Sequence, residues 1–222
     1  MFNRLEKDLR GQGKGELADA VKALHRLNGS DVPLPGKEGA SISRFSAEQR
    51  KGLERKGYLV YSLTGQTIAT LRDAGHSFWS TWHQGEAIEQ VRSMLTEVAV
   101  NPKSLFLQDS NRKTLDEQLA AVEKFGRKLS GEVKGVTAIL GTAPDYAELA
   151  FSHLSATGKR LLGKDYYYDY TRTTTPTGES RVSVVGGFGA DDGLRVDRWG
   201  RGDRNGGIWA APLVVPVTAV GR

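Results

Sequence analysis

Twenty-two residues near the C-terminus, GGFGADDGLRVDRWGRGDRNGG (Gly186 to Gly207), constrain the fold more than any other stretch of this chain. Eight of them are glycine, and they run straight into the apolar segment IWAAPLVVPV, from Ile208 to Val217. Glycine reaches positive φ without a steric cost, so the stretch reads as turns and loops. The apolar run reads as a strand, a rigid base for those loops, and loops on a rigid base are where binding residues concentrate. All eight formal charges in the stretch are Arg or Asp, although the whole chain has 13 Lys and 13 Glu.

Composition narrows the function classes. There is no cysteine, which excludes a disulfide framework, a thiol nucleophile and a zinc–thiolate site. No apolar run approaches the roughly 20 residues of a membrane span. The opening MFNRLEKDLRGQGKGELADA carries charges where a signal peptide needs an apolar stretch, so a soluble, non-secretory chain is expected, riding on a virion, on a surface or on neither. The net charge of +5 is spread among acids, as in KDLRGQGKGE and EQRKGLERKG. That pattern reads as solvated surface, not as a nucleic-acid face. A monomer is expected.

Along the chain, Leu17, Val21, Leu24 and Leu27 recur at helical spacing, ended by Asn28-Gly29, and a Pro/Gly linker follows over Ser30 to Ser41. Capping pairs Ser46/Gln49, Thr114/Glu117 and Asp145/Glu148 open three further helices, the last running through the segment YAELAFSHLSATGKRLLG. Residues 86–95 also read as helical. Ile68 to Leu71 reads as a short helix or strand, and HSFWSTWH (His76 to His83) as a turn packed by its tryptophans. Tyr58 to Leu63, Val98 to Val100, Ser104 to Leu107, Val136 to Leu140, the alternating DYYYDYTRTTT and Arg181 to Val185 read as extended. Helices first and strands with glycine loops last imply an α+β domain.

The chemistry-bearing residues support binding over catalysis. His76 and His83 are seven apart, not a usual zinc spacing, and His153 has no G-x-S-x-G nucleophile to serve. Asp191, Asp192, Asp197, Asp203 and Asn205 suggest calcium, but the twelve-residue loop pattern with its closing Glu is absent, and solvated loop charges are preferred. GGFGADDG opens no helix and is not a dinucleotide fingerprint. Tyr166, Tyr167, Tyr168 and Tyr170 read as strand residues first and as stacking platforms second. Arg195, Arg198, Arg201 and Arg204 alternate with Asp197 and Asp203 around Trp199, and Arg and Trp are the residues that dominate binding surfaces.

The frame V-G-x-F-x-A…G-L-x-V-x-x-W over Val185 to Trp199, followed by D-x-N-x-x-I-W-A-A-P-L-V-V-P over Asp203 to Pro216, resembles the variable proteins of diversity-generating retroelements. DYAELAFSHLSATGKRLLG and YTRTTT are similar to prokaryotic members, so the likeness covers roughly residues 100–222. Ala190 to Gly193 is one residue longer than the commoner pattern. The resemblance implies a C-type lectin-like domain over 57–222 with variable loops at 186–207, preceded by a helical segment and linker over 1–56. It implies a gene on which a reverse transcriptase system acts, and a protein or cell-surface ligand, with no catalysis; the family's frequent calcium site and disulfides are not supported by these residues, and no cofactor or metal is expected.

That mechanism carries a compositional expectation. Asn codons of the form AAY, mutated at adenine, yield Gly, Asp, Arg, Asn, Ser and Tyr among others, but never Lys, Glu, Gln, Met or Trp. Those five types supply 39 of the 222 residues, yet Gly186–Gly207 holds one, Trp199. Carried over residue by residue, the resemblance implies ligand-binding variable positions at Gly187, Gly189, Arg195, Asp197, Arg198, Gly200, Gly202, Arg204, Gly206 and Gly207. Trp199 belongs to the fixed frame with Phe188, Leu194, Val196 and Ile208. The alternative is an enzyme or glycan-binding module of the formylglycine-generating-enzyme-like branch of the lectin-like superfamily, whose enzymes depend on cysteines this chain lacks.

Overall fold

The computed structural model describes residues 42–79, 81–162 and 169–217. The expected helix at 16–28, the linker at 30–41 and Tyr166 to Tyr168 lie outside the described residues. Residues 41–222 group into one compact unit, so the helix at 47–54 belongs with the domain and not with the preceding segment. The expected boundary at 56/57 therefore moves upstream.

The domain is α+β, built on two four-stranded sheets. The first joins β1 (Leu59–Thr64), β2 (Leu95–Val100), β3 (Val136–Ile139) and β8 (Leu213–Pro216) in the order β1-β2-β8-β3, every neighbour antiparallel. The second joins β4 (Tyr170–Pro176), β5 (Arg181–Gly189), β6 (Gly193–Gly200) and β7 (Ile208–Trp209) in the order β6-β5-β4-β7, with only the β4–β7 pair parallel. IWAAPLVVPV is thus two strands in two sheets, β7 and β8, and Ala210-Ala211-Pro212 carries the chain between them. Proline has no amide to donate to a ladder, which favours the break at that point. The whole run reads as apolar because Ala210, Ala211, Leu213 and Val214 are all fully buried.

Local chemistry explains the helices. Helix α1 (Ala47–Glu54) and helix α3 (Leu115–Glu132) open on the expected capping boxes, Ser46/Gln49 and Thr114/Glu117. The Ile68–Leu71 stretch is a helix, α2 (Ile68–Asp73), with its own box at Thr67/Thr70. Helix α4 (Ala143–Thr157) is capped three residues before the expected position: Thr142 is the cap, and Asp145 is its third-residue partner, accepting from the Thr142 amide and hydroxyl at 2.7 Å each. It ends at Gly158 in the left-handed region, so residues 158–162 do not continue it.

Two expectations fail for a shared reason: distant partners take the backbone. Residues 86–95 form only a 3-10 turn at Ala87–Gln90. The Ser93 amide donates to the Gln66 carbonyl (2.8 Å) and Arg92 bridges Thr67, which pulls the chain out of helix. Ser104 to Leu107 is no strand either, its Leu107 amide being held by the Ala210 carbonyl. One large core fills the space between sheets and helices, with Leu63, Ile68, Leu149, Leu194 and Leu213 fully buried. A smaller one, with Phe45, Leu53, Leu129 and Val214, seats α1.

Candidate functional site

The glycine-rich segment is mostly strand. β5 and β6 form an antiparallel hairpin through the turn Ala190-Asp191-Asp192, in register Val182↔Trp199, Val184↔Asp197 and Gly186↔Arg195, with a bulge between Gly186 and Gly189. The reading of 186–200 as loops is corrected: only the hairpin turn and residues 201–207 are non-strand. The clue was in the sequence, since Leu194 and Val196 alternate with charged residues at strand period, and both are fully buried.

β6 is an edge strand, and Ser77, Phe78, Trp79 and Trp82 cover its first half. Leu194 donates to the Ser77 carbonyl (2.9 Å), Trp79 donates to the Leu194 carbonyl (3.1 Å), and the Trp82 indole donates to the Val196 carbonyl (2.7 Å). Gly193 sits at φ +84°, and a Cβ there would lie 2.4 Å from the Ser77 oxygen. The two tryptophans also receive guanidinium groups: Arg195 lies 4.0 Å over Trp79 and Arg198 lies 5.1 Å over Trp82. Sequence reading missed this pairing. His76 stacks on Phe151, where burial lowers its pKa, and His83 is buried with Nδ1 at 2.7 Å from Glu89.

The loop after β6 is held by a different device. Arg172, fully buried in the TRTTT run of β4, donates to the carbonyls of Gly200 (2.6 Å), Arg201 (3.1 Å) and Asp203 (2.8 Å). Burial lowers its pKa and nearby Asp203 opposes that shift, yet a guanidinium keeps its proton in proteins. Further carbonyls of the loop are taken by other donors. Leu115 donates to Arg201, Arg112 to Asn205, Tyr170 to Gly207, each at 2.9 Å, and the Asn111 amide side chain donates to Gly206 at 2.9 Å. The turn supplying two of these donors holds Asp109 and Arg112 at φ 58° and 53°, a conformation rare outside glycine. Every one of these bonds ends on loop backbone, so none depends on which side chains the loop carries.

The residues singled out from sequence therefore fall into groups. Gly187 (φ +55°, with Arg195 Cδ only 3.0 Å from where its Cβ would be) and Arg195 (9% exposed, ion-paired with Asp192 at 3.5 Å) lie within packed structure. Asp197, Arg198 and Trp199 emerge along β6, with Trp199 at 37% exposure. A Cβ added at Gly202 would meet nothing within 4 Å, and at Gly206 or Gly189 it would make only ordinary contacts. Gly200 faces the Asp203 carboxylate, and Gly207 is half-buried where Asn205 accepts its amide. Arg204 is half-exposed but engaged: it pairs with Glu117 at 2.9 Å, while Arg201 pairs with Asp116 at 3.3 Å. The Thr114 amide and then Arg204 hold the Glu117 carboxyl down at about 2.

Arg195, Asp197 and Trp199 point to one side of β6 and line a cleft of about 280 Å³. Its floor is Val184 and Ile208, both buried, and Tyr170 and Asn205 complete the lining. Arg198, one residue out of phase, faces the opposite side, so the arginines at 195, 198 and 204 do not act together. The acids that suggested calcium are likewise dispersed, and no group of three or more His, Asp or Glu among the described residues could hold a metal ion. Nor is any described helix long and apolar enough to cross a membrane. Compared with known proteins, the chain matches no family model, no curated protein and no solved structure.

Proposed function

We propose that this chain is a ligand-binding display protein on a C-type lectin-like scaffold. Its second half of β6 and the loop at 201–207 form a binding surface diversified by a retroelement, and it binds a protein or other surface ligand without catalysis. The observation that carries the reading is the grip on the backbone carbonyls of residues 200–207, led by the buried Arg172 fork. A surface that must change its side chains while keeping its shape needs its hydrogen bonds made to main-chain atoms, because those survive substitution. The two-sheet α+β architecture, with the last strand returning between β2 and β3, supports such a scaffold.

The geometry sharpens which positions could vary. Asp197, Arg198, Gly202, Arg204 and Gly206, with Gly189 on the hairpin, can take new side chains outward. Gly187 and Arg195 are packed against one another and belong with the frame. The test has two arms. Joint replacement of Asp197, Arg198, Gly202, Arg204 and Gly206 by Asn, Ser or Tyr should leave the Tm within a few degrees, since exposed substitutions away from special sites are near neutral; unfolding of most such variants would overturn the reading. The locus should also carry a reverse transcriptase gene and a second near-copy of the 186–207 coding segment differing at adenines.

A further inference from the structure

The cleft beside β6 has chemistry of its own. Val184 and Ile208 make its floor apolar, Trp199 gives it an exposed aromatic face, and Asp197 gives it a carboxylate. The Asp197 carboxylate accepts from the Arg198 amide at 2.8 Å, and no described Lys, Arg or His forms an ion pair with it. Arg195, the cation in the same cleft, is already engaged by Asp192 and by the Trp79 face. The charge left to be matched is therefore negative.

The neighbouring residues show what such a site accepts. Twice along β6 a guanidinium lies over an indole, Arg195 on Trp79 and Arg198 on Trp82. Trp199 is the third indole beside the strand, and among the described residues no cation lies over it. A guanidinium is flat, stacks on an aromatic face and presents a fork of donors that matches a carboxylate. Its three-carbon stem suits an apolar floor.

We propose that this cleft is the seat of an arginine side chain of a protein partner, with the guanidinium stacked on Trp199 and hydrogen-bonded to Asp197, and the stem over Val184 and Ile208. The assignment rests on the display reading and names the partner chemistry that this particular sequence selects. Both Asp197 and Trp199 are needed, one for charge and one for the flat surface.

The test titrates the full chain with the blocked peptide acetyl-Gly-Arg-Gly-amide, following the Trp199 indole N–H by NMR. Matched peptides carrying citrulline, the neutral isostere, or glutamate are run beside it. The arginine peptide should shift that signal saturably and bind about tenfold or more tightly than citrulline, as loss of a charge-assisted contact implies. Asp197→Asn, read on the same signal, and Trp199→Ala, read by isothermal titration calorimetry, should each weaken it to a similar degree with the Tm retained. Equal binding of citrulline, tighter binding of glutamate, an unaffected Asp197→Asn, or no binding of the arginine peptide would overturn the assignment. None of these outcomes touches the tolerance of the loop to substitution, so failure here and failure of the display reading are separable.

Discussion

The two halves of the glycine-rich segment share a composition and are built on opposite rules. From Gly186 to Val196 the side chains, or their absence, make the structure: Leu194 and Val196 are in the core, Gly193 fits against Ser77, and Arg195 bridges Asp192 and Trp79. From Gly200 to Gly207 the main chain makes it, gripped by Arg172 and by the 111–115 turn. The same letters, Gly, Arg and Asp, therefore fix the frame in one half, while in the other the backbone carries most of the grip and the side chains of Arg201 and Arg204 add only exposed pairs to α3. What separates them is whether an atom that must be satisfied belongs to the side chain or to the backbone.

The contrast can be broken most forcefully at its hinge. Arg172→Ala removes the donors of three carbonyls at once and should cost about 3 kcal/mol, read by denaturant unfolding. Arg172→Lys should recover only part of that, because a single ammonium cannot reproduce the planar fork. Gly193→Ala should cost about 2 kcal/mol, since the positive φ and the Ser77 carbonyl both oppose a Cβ; a neutral result would remove the first half from the frame. Arg195→Ala should cost about 1 kcal/mol through the lost cation–π contact, measured the same way. Arg198→Ala, whose guanidinium is exposed, should cost less.

The smallest effect is a pH dependence. Glu117 is held at about 2, below its usual 4.5, first by the Thr114 amide and then by Arg204. A depressed carboxyl contributes stability that is fully present above its unfolded value and is lost as pH falls through the folded one. The Tm should therefore drop between about pH 4.5 and about 2, and Glu117→Gln should flatten that part of the profile. Arg204→Ala should leave most of the slope, because the cap bond and not the arginine is the larger cause. An equally flat profile in Arg204→Ala would mean that the loop arginine supports α3 and is not free to vary.

Local chemistry carried its meaning on the surface of the sequence. Ser46/Gln49 and Thr114/Glu117 opened helices where expected because a cap is completed within four residues. Asp145 misled because it can open a helix or serve as the third residue of one, and only Thr142, preceding a proline-bearing first turn, distinguishes the two. The alternation of Leu194 and Val196 was a readable strand signal masked by the surrounding glycines. Arg172 gave a weaker hint, a lone cation in an otherwise neutral TRTTT run. Trp79 and Trp82 gave none, since their partners lie more than a hundred residues away.

The sequence by itself determined the α+β class, the capped helices, the apolar strands and the segment in which Arg and Asp replace Lys and Glu, because each is a property of composition or of short-range spacing. Only the tertiary structure decided that this segment is a hairpin followed by a gripped loop, that IWAAPLVVPV is shared between two sheets, and that Asp197 and Trp199 face a common cleft. Those outcomes depend on strand register and on which distant donor meets which carbonyl. Such pairings are set by the packing of the whole core, and no local window of residues contains them.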